Sequence, residues 1–189
     1  DEDASSYVKR LEGILRMAFP DEFGPVMGYV FRETYLELCK LAEEAKAKPN
    51  LRSYLDFLNM LSKNRSISSD LGSRMRSSKA LDKIFSLQSR LSELICGAVG
   101  KIFDAKQSSH SVGDLLDRNV ILDLSGLDSD RDANLFTWVV LALILRHVRL
   151  RKDSGLPHLI ICEEAHNIAP VRFEGEPTVV DYMLKELRK

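Results

Sequence analysis

The apolar residues of this chain change their spacing at about residue 100, and that change bounds the folds open to it. Before that point they recur at helical period. Tyr7, Val8, Leu11, Ile14, Leu15 and Ala18 make one stripe; Met27, Val30, Phe31, Tyr35, Leu38, Leu41 and Ala45 a second; Leu51, Tyr54, Leu55, Leu58 and Leu61 a third. Asp3 suits the cap of the first helix. Pro25, after Gly24, suits the first turn of the second, and Pro49-Asn50 punctuates the chain before the third. A serine-rich, basic passage over 62–80 reads as a loop or a helix of modest propensity. A further helix is predicted from about Ala80, carried by Ile84, Leu87, Leu91, Leu94 and Ile95.

Beyond the turn-rich QSSHSVGDLLDR the apolar residues clump instead. NVILDLSGL (119–127) and HLIIC (158–162) are short aliphatic runs bounded by polar residues and glycine, the pattern of fully buried strands. Between them lies a strongly apolar helix, Leu135 to Val148, with capping residues over 128–132 and a basic end, RHVRLRK, that suits a helix C-terminus. Asp153-Ser154-Gly155 predicts a turn, and Thr178 can cap a last helix containing Val180, Met183, Leu184 and Leu187. Strand, helix, strand, helix predicts an α/β fold with a parallel sheet and right-handed crossovers. The expected organisation is an all-helical lobe over 1–106, then part of an α/β core over 107–189. Two strands do not make a stable parallel sheet, so further strands are expected from outside this sequence. An opening DED without methionine and a closing helical LKELRK likewise read as an excised piece of a larger protein.

Length and charge narrow the function classes. The 189 residues suffice for a substantial domain plus a helical lobe. With 27 Lys and Arg against 28 Asp and Glu, no global field attracts nucleic acid or acidic lipid, so such contacts have to be local. The longest unbroken apolar run, Trp138 to Leu145, is far short of the roughly 20 residues of a membrane span, so no membrane segment is expected. The acidic start does not read as a signal peptide. Cys39, Cys96 and Cys162 are far apart among apolar neighbours, which predicts small buried hydrophobes in a reducing, cytoplasmic setting.

The second aliphatic run ends abruptly in Glu163 and Glu164. In a parallel α/β sheet ligands gather at the carboxyl ends of strands, where these acids would sit. An aliphatic strand ending in two acids is the pattern of a Walker B motif, in which one acid holds Mg²⁺ and the other orients the attacking water. Carboxylates suit this because Mg²⁺ wants hard oxygen ligands and keeps much of its water shell. The transferred phosphoryl needs positioning and charge neutralisation more than covalent help. The plain alternative is that Glu163 and Glu164 begin a solvated loop.

The longer string EEAHNIAP resembles the DEAHN-x-x-P segment of HerA-type ATPases, the DNA-pumping motors related to FtsK and to conjugative-transfer ATPases. VILDLSGLDS is similar to the strand that precedes Walker B in that family, and YMLKELRK to the helix that follows it. The helical lobe fits an all-helical insertion that these motors carry. The resemblance is most specific over 119–189. It implies a RecA-like core, ATP and Mg²⁺ as cofactors, duplex DNA as partner, a homo-hexameric ring and a possible nuclease partner. Residue by residue, it implies Glu163 as the metal-side acid and Glu164 as the catalytic glutamate. His166 and Asn167 would sense the nucleotide, unless they only satisfy backbone groups in the turn. Arg188 would act on a neighbouring subunit as an arginine finger, unless it is simply solvated. The family usually has Asp where this chain has Glu163, and the added methylene shifts the carboxylate by about a bond length. DEAH-box helicases of superfamily two share the acids but place a different segment before them.

One part of such a motor is missing from the sequence. A P-loop reads G-x-x-x-x-G-K-[ST]; at Gly100-Lys101, Ile95 takes the place of the first glycine and Ile102 that of Ser or Thr. The 189 residues alone are therefore expected not to hydrolyse ATP. Nine Lys or Arg against four acids over 63–106, and the RHVRLRK cluster, are candidate DNA phosphate contacts, with solvated helix surface and dipole complementarity as the plainer accounts. Two other readings stay open: a degenerate ATPase-like docking module that does not hydrolyse, and a conjugative or secretion motor.

Overall fold

A computed structural model describes residues 3–63, 71, 74–75, 77–105, 108–150, 158–169, 180–181 and 184. The chain divides into two compact units, Asp1–Lys106 and Gln107–Lys189. In the first, helices α1 (Ala4–Ala18), α2 (Pro25–Glu44), α3 (Leu51–Lys63), α4 (Ser78–Ile95) and α5 (Gly97–Phe103) follow one another. Their boundaries follow local chemistry. Pro25 opens α2, Ser77 Oγ accepts from the Ala80 N–H at 3.2 Å to cap α4, and Asn50 and Ser53 cap α3 reciprocally. Asp3 precedes α1 as expected, but through its backbone carbonyl; its side chain makes no cap bond.

The apolar stripes meet for most of their length, but Leu41 and Ala45 of the second are exposed, and Ala42 is buried there instead. α2 packs on α1, α3 and α4, and α3 packs on α4. Leu58 and Ile84 are fully buried at the middle of this core, each contributing roughly 2 kcal/mol from its apolar surface. Tyr54 crosses to Tyr35 and Phe31 with ring centroids 4.9 and 5.8 Å away, and its hydroxyl lies 2.7 Å from Thr34 Oγ1, so the buried phenol is hydrogen-bonded. One charge is also buried. Glu12 on α1 accepts from Arg16 Nη2 at 2.9 Å and from Arg32 Nη1 at 2.7 and 2.6 Å, tying α1 to α2. Gly28 leaves the space for it, since a Cβ there would collide with Glu12 Oε1.

The second unit corrects the expected fold class. It holds helices α6 (Val112–Leu116), α7 (Asp130–Leu150) and α8 (Ala165–Ile168), and no strand, sheet or barrel occurs among the described residues. The partial RecA-like parallel sheet is therefore contradicted. Residues 119–124 and 158–162 run without a strand ladder, and their side chains face solvent: Ile121 is 94% exposed, Leu159 85% and Ile161 81%. A strand exists only where another backbone pairs with it, and neither run finds one among the described residues. The helix between them forms as read, capped by Ser129 Oγ, which accepts from the Asp132 N–H at 3.2 Å.

Two smaller expectations change too. QSSHSVGDLLDR contains α6, closed by a reciprocal capping box between Ser111 and Asp114. Cys96 and Cys162 are exposed rather than buried, and only Cys39 is half-buried. Helix α7, with 21 residues, is long and apolar enough to cross a membrane by length and composition, although its unbroken apolar run is short. The expected turn at 153–155, the cap at Thr178, most of the passage over 62–80 and most of the last helix lie outside the described residues.

Candidate functional site

The acid pair sits on a small turn held by α7. Residues 158–162 arrive without regular secondary structure, Glu163 and Glu164 turn the chain, and α8 follows at once. Glu164 precedes α8 in the left-handed conformation, with φ 49° and ψ 42°. For a residue with a Cβ this costs on the order of 1 kcal/mol, so something must hold it. Two backbone bonds close the turn, Asn167 N–H to Glu164 O and Ala169 N–H to Ala165 O, both at 2.9 Å. A third comes from outside it: the Trp138 indole N–H donates to the Ile168 carbonyl at 2.8 Å.

That third bond follows from the sequence of α7. Leu135, Trp138, Leu141, Ala142 and Leu145 form its buried face, and Trp138 is only 4% exposed. A buried indole N–H needs an acceptor, and the last carbonyls of a helix as short as α8 have no partner within it.

The functional side chains themselves are open. Glu163, Glu164, His166 and Asn167 are all exposed. Left-handed Glu164 turns its carboxylate toward the residue two further on, and Glu164 Oε2 lies 3.3 Å from His166 Nδ1. Asn167 contributes its backbone N–H to the turn. The structure thus brings Glu163, Glu164, His166 and Asn167 onto one turn; Arg188 lies outside the described residues.

No group of three or more His, Cys, Asp or Glu residues able to hold an ion occurs among the described residues, so no protein cage for a metal is built there. Mg²⁺ needs no such cage: it takes one or two carboxylates and completes its shell with water and nucleotide phosphates. Glu163 and Glu164 are adjacent and open to solvent. Gly100-Lys101 is not a glycine-rich loop. Both lie inside α5, and a Cβ at Gly100 would collide with the Ile95 carbonyl, so this glycine serves the close approach of α4 and α5.

Sequence reasoning misses Trp138 as part of the site, reading it only as a member of an apolar run. Its being the single tryptophan of the chain, amid aliphatic residues, is the available signal. Nothing in the sequence announces the left-handed Glu164, a conformation that favours Gly or Asn. No family model, no curated protein and no solved structure matches the chain.

Proposed function

We propose that this chain supplies the acid-bearing segment of a Mg²⁺- and ATP-dependent DNA translocase of the HerA type. One observation carries the reading: Glu163 and Glu164 stand side by side and open to solvent at the exit of an aliphatic run, on a turn whose EEAHN-x-x-P sequence resembles that family's. The acids and their turn are its support, and no sheet is invoked.

Within it, Glu164 accepts a hydrogen bond from the water that attacks the γ-phosphate, and His166 at 3.3 Å orients that carboxylate. Glu163 faces the metal. Mg²⁺, when present with the nucleotide, supplies neutralisation of phosphate charge. Asn167 holds the turn and senses the phosphate, and Arg188 serves a neighbouring subunit of a homo-hexameric ring. Duplex DNA is the cargo, and the phosphate cradle comes from residues other than these 189. Turnover of ATP by the full-length protein, measured with and without duplex DNA, tests this. Hydrolysis stimulated by duplex is the expected result; no hydrolysis under either condition overturns the proposal and leaves a docking module in its place.

A second reading, a conjugative or secretion motor working at a membrane, draws on one observation, the length and apolarity of α7. Recovery of the full-length protein in a membrane fraction that resists high-salt washing would favour it; recovery in the soluble fraction would remove it.

A further inference from the structure

We propose that Trp138 is the positioning residue of the Glu163–Asn167 turn, a latch that decides where the Glu164 carboxylate points. Two observations meet in it. Glu164 occupies a backbone conformation unfavourable for a residue with a Cβ, and α8 is a single turn of four residues, too short to be stable alone. Among the described residues, a side-chain hydrogen bond ties this turn to α7, the 2.8 Å contact from the Trp138 indole to the Ile168 carbonyl. The donor stands on a 21-residue helix and is buried, so its position is fixed by packing. The acceptor ends the very turn that Glu164 begins. Fixing Ile168 O fixes the far end of α8, and with it the left-handed hinge at its near end. Movement of α7 along its axis would therefore be passed to the acid turn and from there to the pairing of Glu164 with His166.

The latch stands on the geometry alone; its consequence for catalysis rests on the proposed function above. The chain contains one tryptophan, so one indole N–H resonance and one indole emission band report this contact without interference. In the 189-residue chain, exchange of that indole proton with water should be slowed about tenfold or more relative to free indole. Ala169→Pro, which removes the Ala169 N–H to Ala165 O bond, should speed the exchange and shift the emission to longer wavelength. Exchange at the free rate in the unaltered chain overturns the latch. So does an Ala169→Pro chain that keeps its helix content but leaves exchange and emission unchanged. If Ala169→Pro does not fold, the exchange rate of the unaltered chain decides by itself.

For catalysis, Trp138→Phe keeps an aromatic ring and deletes the donor. In the full-length protein it should lower kcat with KM for ATP unchanged, because an acid that is misdirected still leaves the nucleotide bound. An unchanged kcat in Trp138→Phe overturns the positioning of Glu164 by Trp138, whereas the role of Glu164 itself is read from Glu164→Gln, so the two claims fail separately.

Discussion

Glu164, itself left-handed, faces His166 over the first helical residue, Ala165, with Oε2 3.3 Å from Nδ1. The pairing exists because Glu164 departs from ordinary backbone geometry: side chains two apart on a regular helix do not meet. Exposure keeps both groups accessible to a ligand. The turn is thus shaped to present a carboxylate rather than to bury one.

The 189 residues should show no measurable ATP turnover on their own. Gly100-Lys101 is helical, with Gly100 buried, and no other stretch has the glycine spacing of a phosphate cradle. A colorimetric phosphate assay on a clean preparation checks this. Appreciable turnover would show that the chain binds phosphate without any glycine-rich cradle.

Glu163→Asp, placed in the full-length protein, should lower the Mg²⁺ concentration for half-maximal turnover severalfold, since the shorter acid alters contact with an ion that tolerates little misplacement. A titration of Mg²⁺ at saturating ATP reads it. An unchanged midpoint would mean that Glu163 does not face the metal.

Glu12 should prove the most sensitive charged residue of the helical unit. Glu12→Ala leaves Arg16 and Arg32 without their shared acceptor at a buried site and should cost about 2–4 kcal/mol in urea unfolding. Gly28→Ala should destabilise in the same direction, by about 1–3 kcal/mol, because its methyl group meets the Glu12 carboxylate. A Glu12→Ala chain as stable as the parent would dismiss the network.

Stability of the same unit should fall in alkali. Burial pushes the phenols of Tyr54 and Tyr35 far above their ordinary value, with the neighbouring Tyr7 adding to the effect at Tyr35. Below about pH 10 both phenols are protonated folded or unfolded, and their contribution is complete. Above it the unfolded chain gives up protons that the folded chain keeps, so stability is lost as pH rises. Urea midpoints measured from about pH 8 to pH 11 should decline above pH 10, and less steeply in Tyr54→Phe. That variant should also lose about 1 kcal/mol at neutral pH with its bond to Thr34. A flat profile would contradict the burial of the phenols.

Legibility in this sequence follows what is decided locally. The stripes through Val8, Phe31, Leu58 and Ile84 predict both the helices and their buried faces, because period and burial share one cause. Pro25 and Ser129 mark helix starts for equally local reasons, while the cap at Ser77 is hidden in a serine-rich passage where no one serine stands out. The sheet is misread because the run through Ile121 and the run through Ile161 carry strand-like composition, while pairing depends on another backbone. The acids at 163 and 164 are visible in the abrupt end of an aliphatic run. Their arrangement is not, because it depends on a left-handed Glu164 and on an indole thirty residues away from Ile168, at Trp138. Glu12 and Gly28 escape notice likewise, since a buried charge declares itself only through its partners.

Whether Glu164 directs water at a bound nucleotide is decided by one comparison: ATP binding and ATP hydrolysis by the full-length protein and by its Glu164→Gln variant. The amide is close in shape but a far poorer acceptor for the water proton. Binding should be preserved within about twofold, with hydrolysis reduced by roughly a hundredfold or more. Hydrolysis at the unaltered rate in the variant would refute the role assigned to Glu164.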